Sequence, residues 1–129
     1  MDNRSEHAIL NDTLLQVSAL PNTLVYRQNT GTAWQGTPVN VPPGEYIRVR
    51  PGMKILANAR PIDFGLEGAG DAIGVTNEKA FQIETKTATG RQREMQKLFQ
   101  KAWEKAGGIY ILARSPGDAI KQLKDSTFT

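Results

Sequence analysis

Two segments of this chain place charged side chains inside apolar, strand-like sequence. The first is GAGDAIG at residues 68–74, which contains Asp71, and the second is FQIETK at residues 81–86, which contains Glu84 and Lys86. Asp, Glu and Lys are rarely buried unless they are paired or bind a metal ion. An Asp on one strand followed by Glu-x-Lys on the next is the arrangement of a metal-dependent phosphodiesterase site. These three residues are therefore the leading candidates for catalysis.

The spacing of the two segments predicts a hairpin that brings these side chains together. If residues 71–76 and 80–86 pair around a TNEK loop, Asp71 lies opposite Lys86 at one end of the hairpin. Glu84 and Lys86 then project from one face, because side chains alternate along a strand. Two carboxylates this close to each other raise one pKa unless a cation lies between them.

A hard divalent cation suits this pair of carboxylates. Mg²⁺ prefers oxygen ligands and keeps several waters when few carboxylates hold it, and Mn²⁺ accepts the same ligands. One such water would be the nucleophile that attacks a phosphodiester. Lys86 would orient or deprotonate that water, or balance the charge of the scissile phosphate. Mg²⁺ or Mn²⁺ is therefore the expected cofactor.

The elements that must position these residues follow from the hydrophobic period and from turn residues. The strand, helix and strand over residues 81–113 predict a βαβ unit with parallel strands. The fold class is therefore α/β, with a mixed central sheet flanked by helices. Helices are predicted at residues 5–20, 91–106 and 115–124, and strands at residues 23–28, 46–50, 53–57, 71–76, 80–86 and 109–113.

Local signals support particular parts of this assignment. Ser5 and Ser115 are the expected N-caps of the first and last helices. Pro51-Gly52 suits the two central positions of a type II turn, which would join the strands at 46–50 and 53–57. The predicted apolar stripe of the helix at 91–106 consists of Met95, Leu98, Phe99, Ala102 and Ala106.

Composition indicates one small globular domain, residues 1–129, long enough to bury a single core. Sixteen Lys and Arg against thirteen Asp and Glu give a net charge of +3, which favours a polyanionic partner only weakly. The absence of cysteine excludes disulfides and thiolate chemistry and fits a cytoplasmic setting. Because no apolar run reaches membrane-spanning length and the N-terminus does not have the form of a signal peptide, no membrane partner is expected.

Further short motifs surround the Glu-x-Lys strand, and their order resembles the VRR-NUC family, the virus-type replication-repair nucleases of the PD-(D/E)xK superfamily. The resemblance covers nearly the whole chain and is weakest over residues 35–62. It departs from the pattern at Gly70, where the superfamily name expects Pro. It departs again at Thr85, where an aliphatic residue is common and the side chain is predicted to face away from the site. The matching segments are Glu6, Arg27-x-Asn29-x-Gly31, Gly68-x-x-Asp71, Glu84-x-Lys86, Thr87-x-x-Gly90, Gln96 and Gly107-Gly108.

This resemblance implies a PD-(D/E)xK restriction-endonuclease-like core and Mg²⁺- or Mn²⁺-dependent endodeoxyribonuclease activity in a single VRR-NUC-like domain. The implied catalytic set is Glu6, Asp71, Glu84, Lys86 and Gln96, with Asp71, Glu84 and Glu6 as the metal ligands. The chain is as short as the stand-alone phage and bacterial members, which suggests a phage or bacterial origin. Those members imply a homodimer that selects branched DNA, such as four-way (Holliday) junctions, by its structure.

Basic and amide side chains supply the candidate DNA contacts. Arg27 and Asn29 lie in the Arg-x-Asn-x-Gly segment, and Arg91, Arg93 and Lys97 line one side of the helix predicted at 91–106. Arg and Lys on one face of a helix suit the phosphate backbone of DNA. The alternative is that this face is only solvated.

Other functions and simpler explanations remain open from the sequence. Gln96 on an exposed helix face, or Glu6 as a first-turn acid that suits the helix dipole, would have no catalytic role. The chain would then be a non-catalytic DNA-binding or assembly module with a nuclease-like fold. A flap or duplex nuclease and a restriction-type subunit are further alternatives. The complete set of candidate residues favours catalysis, because a degenerate member is expected to lose a ligand.

Overall fold

A computed structural model of the chain describes residues 2–127 and divides into two compact units. We call Met1–Thr30 with Gly65–Thr129 the core unit, and Gly31–Phe64 the inserted unit. In chain order, the elements are α1 (Glu6–Ser18), β1 (Thr23–Arg27), β2 (Gly31–Pro38), β3 (Leu56–Phe64), β4 (Ala72–Thr76), β5 (Lys79–Thr85), α2 (Glu94–Lys105), β6 (Ile109–Ala113) and α3 (Pro116–Thr127).

The sheet of the core unit has the strand order β1-β4-β5-β6. The pairs β1·β4 and β4·β5 are antiparallel, whereas β5 and β6 are parallel and are connected through α2. The α/β class, the mixed sheet and the parallel strands around a helix are therefore confirmed. No helix within residues 2–127 has the length and apolar character needed to cross a membrane.

Helices α1 and α3 begin at the predicted serine caps and form the hydrophobic core with one face of this sheet. Ser5 Oγ accepts a hydrogen bond from the Ala8 amide at 3.2 Å, which confirms the predicted cap of α1. Ser115 Oγ likewise accepts from the Asp118 amide at 3.1 Å at the start of α3. The buried cluster that α1 and α3 form with the sheet consists of Leu10, Val17, Ala72, Phe81, Ile83, Ile111, Ala113, Ala119 and Leu123.

Helix α2 lies against the opposite face, with a different side inward from the one that its apolar stripe predicted. Met95 and Leu98 are 43% and 60% exposed, whereas Gln96 is buried. Phe99 stacks on Trp103 with ring centroids 5.9 Å apart, and Trp103 Nε1 donates to the Ile109 carbonyl at 2.9 Å. The amide of Gln96 takes an inward position because polar groups on the sheet face satisfy it, as described below.

The β4–β5 hairpin has a tighter turn than the predicted TNEK loop. Thr76 pairs with Lys79, which leaves only Asn77 and Glu78 between the strands. Both have positive φ, 46° and 70°, as a type I′ turn requires. Since Ala72 pairs with Ile83, the register places Asp71 level with Glu84. The prediction that Asp71 lies opposite Lys86 is therefore wrong.

In the inserted unit, the predicted strands at 46–50 and 53–57 do not form as a hairpin. Strands β2 and β3 pair instead in an antiparallel ladder, with a register shift between Gln35 and Thr37. The predicted turn does form: the Met53 amide donates to the Arg50 carbonyl at 3.1 Å, and Gly52 has a φ of 86°. Strand β2 escaped prediction because its side chains are almost all solvent-accessible, so no apolar alternation marks it.

Candidate active site

Strand β5 carries three buried polar side chains at alternate positions. Gln82, Glu84 and Lys86 are 2%, 4% and 6% exposed and lie on the sheet face opposite Phe81 and Ile83. Lys86 Nζ is 3.4 Å from Glu84 Oε1, so the two predicted catalytic residues form a buried ion pair. The predicted common face of Glu84 and Lys86 is confirmed.

Gln96 connects the start of α2 to this ion pair. Its Nε2 donates to Glu84 Oε1 at 2.7 Å, and its Oε1 accepts from the Arg93 amide at 2.8 Å. The second contact satisfies a backbone donor at the helix N-terminus, where no intrahelical acceptor exists. Gln96 is therefore not the bland, solvated residue that an exposed helix face would carry, because both ends of its amide are engaged.

Asp71 is held at the end of the sheet by Thr85. Asp71 Oδ2 accepts from the Thr85 amide at 2.8 Å and from Thr85 Oγ1 at 2.9 Å. Thr85 projects from the strand face opposite Glu84 and Lys86. The prediction that it faces away from the site is nevertheless wrong, because this threonine is a hydrogen-bond partner of a candidate metal ligand. Asp71 precedes the first β4 pair, and its carboxylate reaches back to the end of β5.

Two glutamines absent from the sequence prediction fix the segment that precedes Asp71. Gln82 Oε1 accepts from the Gly70 amide at 2.9 Å. Gln28 Nε2 donates to the Gly70 carbonyl at 3.0 Å and to Gln82 Oε1 at 3.3 Å. The signal that would have found Gln82 is its position two residues before Glu84, on the same strand face.

Close backbone approach explains the glycines before Asp71. A Cβ at Gly70 would lie 2.9 Å from the Ile83 carbonyl oxygen, which is closer than real Cβ contacts. Gly68 has a φ of 88°, and a Cβ there would meet the Met95 carbonyl at 2.2 Å. A proline at position 70 would clash with the same strand, which explains why this chain has glycine where the superfamily name expects proline.

The electrostatics of the site are dominated by its two carboxylates. Burial, and next the negative charge of Asp71, raise the pKa of Glu84 to about 7, although Lys86 acts in the opposite direction. Burial and the charge of Glu84 likewise raise the pKa of Tyr110 to about 12, although the nearby Gln92 side chain acts in the opposite direction. The Tyr110 hydroxyl is buried and has no hydrogen-bond partner of normal geometry within residues 2–127. The buried carboxylate of Glu84 therefore binds a proton more readily than an ordinary carboxylate does.

The carboxylate oxygens of Asp71 and Glu84 that lack hydrogen bonds are of the ligand type that a hard divalent cation prefers. Within the described residues, Asp71 Oδ1 and Glu84 Oε2 accept no hydrogen bond, because the contacts of each carboxylate go to its other oxygen. A cation with oxygen ligands and retained waters would relieve the repulsion by Asp71 that, after burial, raises the pKa of Glu84. Within residues 2–127, no group of three or more His, Cys, Asp and Glu side chains is arranged so that it could hold a metal ion. Glu6 is exposed on α1, and its charge contributes a small further rise in the pKa of Glu84.

The Thr87-x-x-Gly90 motif forms the loop that follows Lys86. Thr87 Oγ1 accepts from the Gly90 amide at 3.0 Å. Arg114 Nη1 donates to the carbonyls of Thr87 and Gly90, both at 2.7 Å. Arg114 was missing from the predicted site because it follows β6, far away in sequence. Its role here is to hold the loop that begins immediately after the candidate lysine.

The candidate DNA-binding side chains are all exposed. Arg27 lies within hydrogen-bond distance of His7, with Nη2 3.2 Å from Nδ1. Lys97 Nζ is 3.3 Å from Glu94 Oε1. Arg91, Arg93 and Asn29 are also solvent-accessible. These five side chains are available to a partner, and the solvated alternative for them stays open.

Comparison of the sequence with protein-family models found no match, and comparison with curated proteins found none either.

Proposed function

We propose that this protein is a metal-dependent, structure-selective DNA endonuclease of the VRR-NUC type, with a PD-(D/E)xK core. The observation that carries the proposal is the buried arrangement around Glu84. Its carboxylate contacts Lys86 and Gln96, while burial and the negative charge of Asp71 raise its pKa to about 7. A carboxylate with a raised pKa beside a buried lysine is more typical of a functional site than of a stabilising ion pair.

Each residue has a separate part in the proposed hydrolysis. A bound Mg²⁺ or Mn²⁺ would supply Lewis acidity and lower the pKa of a water molecule. Asp71 and Glu84 would hold the ion through the oxygens that lack hydrogen bonds, and Glu6 is the proposed third carboxylate. Gln96 keeps the Glu84 carboxylate oriented through its 2.7 Å hydrogen bond. Lys86 orients or deprotonates the attacking water, or balances charge on the scissile phosphate.

The proposed substrate is branched DNA, and the proposed active form is a homodimer. Arg27, Asn29, Arg91, Arg93 and Lys97 would contact the phosphate backbone, whose binding weakens as salt increases. A four-way junction needs two symmetric cuts, which a two-fold dimer with one site in each subunit supplies. Light scattering at micromolar concentration tests the dimer. A monomeric mass, with junction cleavage unaffected by dilution, would reject the dimer.

The activity is tested with purified protein, Mg²⁺ or Mn²⁺, and a panel of single-stranded, duplex, flap and four-way-junction DNAs. We expect cleavage of branched substrates and complete loss in Asp71→Asn, which keeps an acceptor for Thr85 but removes the charge. The matched control is Asp118→Asn, because Asp118 also accepts two hydrogen bonds, from the Arg114 amide and from Gln122 Nε2, at 3.0 and 2.9 Å. Cleavage by Asp71→Asn at the parent rate would reject the assignment.

A non-catalytic DNA-binding module predicts a different outcome from the same panel. It would bind branched DNA without cutting it in either metal, and Asp71→Asn would bind DNA as the parent does. Lys86→Ala separates anchoring from catalysis, because a role in the transition state lowers turnover far more than DNA binding. Equal losses in both would make Lys86 a phosphate anchor.

A further inference from the structure

Gln82 joins strand β5, which carries Glu84, to the segment that carries Asp71. Its side chain is 2% exposed and projects from β5, two residues before Glu84. Its Oε1 accepts from the Gly70 amide at 2.9 Å, immediately before Asp71. One buried hydrogen bond therefore connects the strand of one carboxylate to the segment of the other.

Gln28 reinforces the same connection from the other side of β4. Its backbone amide donates to the Asp71 carbonyl at 2.8 Å. Its Nε2 donates both to the Gly70 carbonyl at 3.0 Å and to Gln82 Oε1 at 3.3 Å. The peptide groups of Gly70 and Asp71 are thus held by one side chain from β5 and by one residue that follows β1.

The backbone partners fix which way round both side-chain amides lie. The Gly70 amide can only donate, so the Gln82 atom that faces it must be the acceptor Oε1. The Gly70 carbonyl can only accept, so the Gln28 atom beside it must be Nε2. The remaining contact, Gln28 Nε2 to Gln82 Oε1, is then a donor with an acceptor. Every hydrogen bond in the network is mutually consistent.

The network acts where the chain has little else to hold it. Gly70 has no side chain, and a Cβ at this position would meet Ile83. Asp71 precedes the first ladder pair of β4 and β5. The Asp71 carboxylate is fixed by Thr85, but the backbone that delivers it depends on Gln28 and Gln82.

We propose that Gln82 is a positioning residue that sets the spacing between Asp71 and Glu84, and with it the affinity of the site for a divalent cation. This inference rests on the proposed function. Groups that orient metal ligands commonly change metal affinity by about 10- to 100-fold when they are removed. The effect belongs to metal binding, and it is separate from catalysis by the loaded site.

The test is Mn²⁺ binding by calorimetry to the parent, Gln82→Leu, Gln28→Ala and Gln122→Leu. Gln82→Leu removes the acceptor, and Gln28→Ala is a milder change that keeps the backbone bond to Asp71. Gln122→Leu is the matched control. Gln122 lies on α3, a helix that supplies no candidate ligand, and its Nε2 donates to the Leu112 carbonyl at 3.0 Å. Thermal denaturation of all four proteins without metal gives the structural cost of each change.

We expect Gln82→Leu to weaken Mn²⁺ binding by about tenfold or more, Gln28→Ala to weaken it less, and Gln122→Leu to leave it at the parent value. Excess Mn²⁺ should restore the cleavage rate of Gln82→Leu, because the change acts on ligand spacing. If Gln82→Leu does not fold, Gln28→Ala alone carries the comparison. Parent-like Mn²⁺ affinity in every folded variant of Gln82 and Gln28 would overturn the inference.

The failure of the proposed function has a different signature. If the parent does not bind Mn²⁺, or if Asp71→Asn binds it as tightly as the parent does, the metal site itself is rejected and the inference is rejected with it. If Asp71→Asn loses binding while the Gln82 and Gln28 variants keep it, the metal site stands and the role of Gln82 is rejected.

Discussion

The protonation of Glu84 links stability to pH at the scale of a single residue. Its folded pKa of about 7 lies above the ordinary value of 4.5, so the folded state binds the proton more tightly than the unfolded state does. The free energy of unfolding without metal should therefore fall as pH rises from about 4.5 to about 7. Glu84→Gln should abolish this part of the pH dependence, because the amide does not titrate.

Urea unfolding in EDTA across this range measures the effect. The informative quantity is the difference in the free energy of unfolding between Glu84→Gln and the parent, which should grow with pH and then become constant. Glu94→Gln is the control, because the Glu94 side chain is 85% exposed. Parallel curves for Glu84→Gln and the parent would contradict a raised pKa at Glu84.

Tyr110 allows a second prediction at the residue scale. Its buried hydroxyl has no partner of normal geometry within residues 2–127, while its ring packs 6.2 Å from that of Phe99. Tyr110→Phe keeps the ring and removes a desolvated polar group, so the free energy of unfolding should rise by about 1 kcal/mol. Tyr26→Phe, at an exposed tyrosine, should leave it unchanged. Destabilisation by Tyr110→Phe in urea would mean that the hydroxyl has a partner, for which the Gln92 side chain is the candidate.

At the scale of elements, the β4–β5 turn shows where sequence patterns succeed and fail. The two strands were predicted because apolar residues alternate along them, but their register depended on the turn. TNEK lacks the glycine that usually marks a type I′ turn, and Glu78 takes a left-handed conformation that few non-glycine residues adopt. The predicted register of two strands can therefore be wrong even when both strands are predicted correctly.

The same turn supplies a testable strain. Glu78 has a φ of 70°, which costs an ordinary side chain about 1–2 kcal/mol, while glycine loses more chain entropy on folding. Glu78→Gly should therefore raise the free energy of unfolding by about 0.5–1 kcal/mol. Glu67→Gly is the control, since Glu67 is not one of the described residues with a positive φ. Chemical denaturation measures the free energy of unfolding of both variants. An equal change in the two variants would show that Glu78 is not strained.

The site was only partly predictable for a physical reason. Glu84 and Lys86 share a strand, so alternation alone fixes their common face. Gln96 and Gln28 reach the site from other elements, and Gln82 and Thr85, on the same strand as Glu84, act through contacts with Gly70 and Asp71 that no local period encodes. Sequence order and resemblance supplied Gln96. Alternation places Gln82 on the face of Glu84, but the contacts of Gln82 and Gln28 with Gly70 follow only from the folded structure.

At the scale of the whole molecule, the core unit contains every element that builds the candidate site. The chain leaves this unit at Thr30 and re-enters it at Gly65, where an added Cβ would lie 3.9 Å from Thr30 Cα. Joining Thr30 to Gly65 through a Gly-Gly link, without residues 31–64, should therefore leave a folded domain. We expect one cooperative urea transition and retained Mn²⁺ binding. A chain without cooperative unfolding would show that the core unit needs the inserted unit.

The burial of Lys86 also has a consequence for chemical labelling. Its side chain is 7% exposed, whereas that of Lys97 is 56% exposed. Bulky amine-reactive reagents should modify Lys97 and leave Lys86 intact in the folded protein, and both should react after denaturation. The protein can therefore be attached to a surface or a fluorophore through its outer lysines without acylating the amine beside Glu84.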